Sequence, residues 1–181
     1  MILESKSLKY VITGGPGVGK TSIIRALSKI GFDTVPEAGR QIKETLITQP
    51  PNGTFNHSLS IFRLQMKILE AQLSCERKLP KNKIVFLDRG IPDGIAYFLV
   101  NGLKPPKKLM RISKNQRYDK IFLLQPLQIY SQDNIRDESL EKANRIQEMI
   151  SSVYRRLEYE VISIPSMSLS DRLNYIFKHL K

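Results

Sequence analysis

"VITGGPGVGKTS", residues 11–22, sets four glycines and a proline between an apolar run and the start of a helical pattern, with a lysine directly behind the last glycine. Glycine loses more backbone freedom on folding than any other residue, so such a turn is destabilising unless bare backbone is needed there. The spacing supplies the need. Gly14-x-x-x-x-Gly19-Lys20-Thr21 satisfies the pattern of a phosphate-binding loop, and it follows an apolar run and opens a helix, the context that pattern requires. Missing side chains at Gly14, Gly15, Gly17 and Gly19, with Pro16 and Val18 between them, let amide groups turn inward round an oxyanion. The helix beginning near Gly19 adds the positive end of its dipole. Lys20 is placed to reach β- and γ-phosphates, the Thr21 hydroxyl is a ligand type for Mg²⁺, and Ser22 follows it into the helix.

Outward from the loop, strands and helices alternate. Residues 8–13, rich in Val, Ile and Tyr, read as a buried strand. Ile23, Ile24, Leu27 and Ile30 recur at helical spacing, and Gly31 marks a stop. "FDTVP" (32–36) is a second strand, and 37–49 a helix ending at the Pro50-Pro51-Asn52-Gly53 turn. The longest periodic stretch is 57–78, where Leu59, Phe62, Met66, Leu69 and Leu73 predict a core-facing stripe. "KIVFLD" (83–88), "YDKIFLLQP" (118–126) and "YEVISIP" (159–165) complete five strands. Helices are predicted over 92–100, 138–158 and 169–180, and a basic loop over 102–108. The expectation is an α/β fold in a single domain over 1–181, its parallel sheet covered by helices on both faces through right-handed crossovers.

Composition narrows the function classes. With 41% hydrophobic and 25% charged residues the chain reads as a soluble globular protein. No run reaches the ~18 apolar residues of a membrane-spanning helix. "MILESKSLKYV" (1–11) lacks the pattern of a secretory signal, so a cytoplasmic setting is expected. Cys75 is the only cysteine, which excludes an intramolecular disulfide or a thiolate zinc cluster. His57 and His179 have no ligand-spaced partner. The net charge of +12 suits polyanions: nucleotides, nucleic acid or an anionic lipid surface. Yet the basic residues are dispersed, "RKLPKNK" (77–83) and "KPPKK" (104–108) sit beside prolines, and nothing matches a base-reading or single-strand stacking module.

A triphosphate loop needs a carboxylate for its metal, usually at the end of a neighbouring apolar strand. Asp88 closes "KIVFLD" and fits that role, the alternative being a cap for the next segment. Arg89 beside it would face the transferred phosphoryl group or the acceptor, or else form a structural ion pair. Asp93 lies five residues beyond Asp88.

The set "FLDRGIPDGIAYF" (86–98), "VPEAGRQI" (35–42) and "YDKIFLLQP" resembles a small P-loop family classed as an AAA domain. That family is related to the nicotinamide riboside kinase domain of bacterial NAD regulators and, more distantly, to thymidylate and deoxynucleoside kinases. The likeness runs from about residue 9 to 178. It implies a three-layer P-loop NTPase fold of nucleotide-kinase type, with a five-stranded parallel sheet and the phosphate-loop strand beside the strand bearing Asp88. It also implies ATP, or GTP, with Mg²⁺. Within these 181 residues the separate helical lid domain of AAA+ motors is not expected.

By the same resemblance Glu37 is an acceptor-side carboxylate. A hydroxyl acceptor benefits from a general base, a role open to Glu37 or Asp88. Arg40 either holds an anionic acceptor or pairs on the helix surface with Glu37 or Glu44. A lid-like segment is implied over about 128–158, where Arg136 resembles the family's lid arginine and Arg145, Arg155 and Arg156 are weaker candidates. An acceptor cavity is implied between the helix after Glu37, the long helix over 57–78 and "DRGIPD" (88–93). The leading reading is a kinase for a nucleoside, nucleotide or related metabolite, with Glu37, Arg40, Arg89 and Asp93 toward the acceptor. The alternative is a nucleotide-binding NTPase or switch without an acceptor, although no guanine-reading N-K-x-D stretch is present.

Overall fold

Six residues, Leu8–Thr13, form strand β1, whose side chains enter two separate cores in alternation. Val11 faces one core, Tyr10 and Ile12 the other, as a strand covered on both faces requires. The computed structural model describes residues 7–39, 42, 57–115, 117–127 and 140–180. Within them the chain runs β1, α1 (Lys20–Lys29), β2 (Asp33–Val35), α2 (His57–Arg77), β3 (Ile84–Asp88), α3 (Ile91–Val100), α4 (Lys107–Asn115), β4 (Lys120–Leu124), α5 (Leu140–Arg156), β5 (Val161–Ile164) and α6 (Leu169–Lys178).

The sheet has five strands in the order β2-β3-β1-β4-β5, every pair parallel. On one face Val11, Leu87 and Ile121 pack against Ile95 and Phe98 of α3 and Ile146 and Ile150 of α5. On the other, Ile12, Phe86 and Phe122 pack against Ile23 and Leu27 of α1 and Ile176 of α6. β1 lies between β3 and β4, so the chain crosses from one side of β1 to the other between those two strands. In parallel sheets the crevice beyond such a switch, at the carboxyl ends, is where ligands bind. The β1–α1 loop opens there, and the Ile12↔Asp88 register brings the end of β3 alongside it.

Two expectations need correction. Residues 107–115, read in part as basic loop, form α4. Pro106 supplies the carbonyl that accepts the Met110 amide, a position before the first turn where proline's fixed φ does no harm. Leu109 is buried while Lys107, Lys108, Arg111 and Lys114 are exposed, so the basic residues form the outer face of a helix. The apolar stripe on α2 is also only half right. Leu59 and Phe62 are exposed, and the buried face is Gln65, Leu69, Gln72 and Glu76, mostly polar. Partners make that burial tolerable: Gln72 Nε2 donates to Arg89 O at 3.0 Å, and Glu76 accepts from Lys9 Nζ at 3.1 Å and Tyr118 Oη at 2.8 Å. The helix expected over 37–49 lies mostly outside the described residues, and among those described no helix is long and apolar enough to cross a membrane.

Gly90 joins β3 to α3 where three side chains converge. A Cβ there would meet Tyr154 Oη at 2.4 Å, Tyr118 Cε2 at 3.0 Å and Val11 Cγ2 at 3.2 Å. Its φ of −110° suits any residue, so only space restricts the position. Gly90→Ala should lose about 2 to 4 kcal/mol in urea unfolding, through overpacking and the displaced Tyr154 hydroxyl. Parental stability in that variant would contradict this packing.

Candidate active site

The loop between β1 and α1 uses its glycines for backbone angles other residues resist. Gly14, Gly17 and Gly19 have φ of 139°, 77° and 92°, and Gly19 caps α1 in the left-handed region. Lys20 Nζ folds back over the loop, 3.1 Å from Gly14 O and 2.6 Å from Gly15 O. Arg89 Nη1 reaches the same Gly14 carbonyl at 3.2 Å. On the other side of that peptide the Gly15 amide donates to Gln147 Oε1 of α5 at 2.5 Å, while Gln147 Nε2 donates to Leu124 O at 3.0 Å. Gln147 therefore ties the first turn of the loop to the end of β4. Arg172 of α6 holds Val18 O from the opposite face of the sheet at 2.6 Å.

Beside the loop stands an ionic cluster. Arg89 Nε is 2.8 Å from Glu37 Oε1, and Arg89 Nη1 is 3.2 Å from Asp93 Oδ1. Arg89 itself has φ +75°, a strained angle for a non-glycine residue, and is held there at both backbone ends: its amide donates to Ile12 O at 3.0 Å and its carbonyl accepts from Gln72. Asp88 is 5% exposed, and its buried Oδ1 accepts no hydrogen bond from the described residues. Burial pushes its pKa up to about 6; the charges of Glu37 and Asp93 add to that rise, while Lys20 and Arg89 oppose it.

A carboxylate oxygen left without a donor at the mouth of a phosphate-binding loop fits a divalent cation. Thr21, half-buried in the first turn of α1, offers the hydroxyl. Among the described residues no group of three or more His, Cys, Asp or Glu could hold a metal.

The structure thus brings the residues from Gly14 to Ser22, Glu37, Asp88, Arg89 and Asp93 to one end of the sheet. It separates the roles of two of them. Asp93, expected near the acceptor, is 3% exposed and faces inward. Its Oδ1 accepts from Thr13 Oγ1 at 2.6 Å and from Arg89, and its Oδ2 from Tyr154 Oη at 2.7 Å and the Gly90 amide at 3.1 Å. Four donors saturate the carboxylate, so Asp93 is the anchor of the β3–α3 turn. Arg89 forms ion pairs with Glu37 and Asp93, and its Nη1 also reaches the loop at Gly14 O. Arg40, Arg136 and the 128–139 part of the lid-like segment lie outside the described residues.

Gln147, Arg172 and Gln72 had no place in the sequence reading. Each is a polar residue at an apolar-face position of an amphipathic helix, and that misfit is the signal that finds them. A cavity of about 640 Å³ along α5 is lined by Gln125, Gln147, Ser152, Arg155 and Arg156 among others.

A family model described as an AAA domain matches residues 9–172. The chain belongs to this AAA domain family. No curated protein matches the sequence. Among solved structures, thymidylate kinase from Ehrlichia chaffeensis superposes with a TM-score of 0.66 at 18% identity, covering 97% of this chain and 100% of that one. Deoxyadenosine kinase from M. mycoides with bound dATP gives 0.68 at 12% identity, over 96% and 98%. Thymidylate kinase from Candida albicans gives 0.57 at 13%, over 97% and 91%. This member of the AAA domain family therefore has the nucleotide-kinase form of the P-loop fold.

For the AAA domain protein, the Asp88 pKa gives a signed expectation. Its folded value lies above the unfolded one, so the folded state binds more protons between about pH 4 and 6, and stability falls as pH rises through that window. At pH 7.5 the charge costs up to about 3 kcal/mol. Asp88→Asn should raise the unfolding midpoint at pH 7.5 and lose that advantage near pH 4. A destabilised variant at pH 7.5 would contradict this account of Asp88.

Proposed function

We propose that the protein is an ATP- and Mg²⁺-dependent small-molecule kinase whose acceptor is a nucleoside, nucleotide or related metabolite. The observation that carries this reading is the cluster of Lys20, Asp88 and Glu37 round one loop, with Asp88 sealed and Glu37 open. The Glu37 side chain is 23% exposed, against 5% for Asp88 as a whole. In this reading Asp88 and Thr21 hold Mg²⁺, which when bound neutralises charge on the phosphate oxygens. Lys20 exchanges the Gly14 and Gly15 carbonyls for phosphate oxygens. Glu37, oriented by Arg89, takes the proton of the acceptor hydroxyl as that oxygen bonds to the γ-phosphorus and the bond to the ADP leaving group breaks. Catalysis then rests on positioning and charge neutralisation, which is what phosphoryl transfer needs.

The kinase folds among the structural neighbours support this reading, as does the phosphate-loop motif. The dispersed net charge of +12 is consistent with a nucleotide partner. The test is a screen of nucleosides, nucleoside monophosphates and nicotinamide riboside for ADP release with Mg·ATP, run in parallel with Mg·GTP. Acceptor-dependent release that disappears in Lys20→Ala supports the kinase. Release independent of every acceptor, or wild-type turnover in Lys20→Ala, contradicts it.

The division of labour is separable. Glu37→Gln should lower kcat about 10²-fold while nucleotide affinity stays within a few-fold. Equal losses of kcat and nucleotide affinity would remove Glu37 from the role of base.

A further inference from the structure

α6 carries a charge where its apolar face should be. Arg172 stands one turn before buried Ile176, and only 3% of it is exposed. Its guanidinium donates from Nη1 to Val18 O at 2.6 Å, from Nη2 to Gln125 O at 3.0 Å and from Nε to Pro165 O at 3.2 Å. All three acceptors are neutral carbonyls, and among the described residues no carboxylate pairs with it. Burial lowers its pKa, and among the described residues no acid offsets the effect. A buried cation without a counter-charge is costly, and an apolar side chain would fill the space without that cost.

The carbonyls it holds give the reason. A trans peptide points its C=O and its N–H to opposite sides. Gripping Val18 O from the α6 side leaves the Gly19 amide pointing away from the guanidinium. The guanidinium lies against the loop itself: a Cβ on Gly19 would sit 3.4 Å from Nη1. Its other two acceptors follow the ends of β4 and β5, so the grip fixes the loop to the carboxyl edge of the sheet.

We propose that Arg172 is a positioning residue for polyphosphate: it locks the Val18–Gly19 peptide with the Gly19 amide facing the phosphates, and the bound polyphosphate is the counter-charge that no carboxylate among the described residues provides. The inference rests on the nucleotide reading above. In this proposal Arg172 keeps its three carbonyls on nucleotide binding and acts through the loop backbone, not as a phosphate ligand.

The test is calorimetry with Mg·ADP and with inorganic tripolyphosphate on wild-type, Arg172→Met and Arg172→Lys protein, each shown to be folded by circular dichroism. Arg172→Met should weaken both ligands at least about tenfold, the worth of one charge-assisted hydrogen bond, and flatten the salt dependence of tripolyphosphate binding. Arg172→Lys, which keeps the charge but cannot hold three carbonyls, should recover the salt slope without the full affinity. A purely structural arginine would lower the unfolding midpoint and leave both affinities unchanged in folded protein; that result overturns the proposal.

If Arg172→Met does not fold, the wild type answers instead. The Arg172 Nε–H resonance should shift, and its hydrogen exchange slow, on saturation with Mg·ADP; an unmoved resonance overturns the proposal. Wild-type protein that binds neither probe removes the nucleotide reading and this inference together. Wild-type binding matched by Arg172→Met removes this inference alone.

Discussion

A loop that offers its amides to a ligand cannot spend them on itself, so the rest of the fold must hold it open. Here the grip comes from opposite faces of the sheet. Gln147 of α5 takes the Gly15 amide, Arg172 of α6 takes the Val18 carbonyl, and Lys20 and Arg89 meet on the carbonyl of Gly14. The two helices reach the loop only because β1 is central and each of its faces is covered by its own helical layer. The two cores, in this sense, are the mould that sets the shape of the loop.

The same region concentrates local conflicts that a purely structural design would avoid. Arg89 sits at positive φ, Asp88 has a buried oxygen without a donor among the described residues, and Arg172 is a buried cation among carbonyls. Such features persist only where surrounding structure over-determines them, and they collect at functional sites. Asp93 does much of that determining. By joining Thr13 of β1, the Gly90 amide, Arg89 and Tyr154 of α5, it fixes the end of β3 against the root of the loop. Gln72 reinforces it from α2 through the Arg89 carbonyl.

The five strands and the loop were legible in the sequence because apolar runs bounded by glycine are local signals, and Asp88 was legible because it closes one such run. The α4 helix was obscured by Pro105-Pro106, which mark a helix start as readily as a turn. The buried face of α2 was missed for a different reason: Gln65, Gln72 and Glu76 count as polar in any periodicity, and only partners distant in sequence, such as Lys9 and Tyr118, make their burial tolerable. Gln147 and Arg172 were missed likewise, since their partners lie 132 and 154 residues away along the chain. Asp93 read as a site residue because it follows Asp88 closely. Two of its four protein donors, Thr13 and Tyr154, come from distant elements, which spacing alone does not reveal.

The central claim is that the amides from Gly17 to Thr21, backed by Lys20, bind the polyphosphate of a magnesium nucleotide. Backbone amide resonances of the wild-type protein, followed through a titration with Mg·ADP, test it most directly. Large saturable downfield shifts confined to Gly17, Gly19, Lys20 and Thr21 are expected, with those of the α4 face unmoved. Unchanged loop amides at millimolar nucleotide would contradict the account.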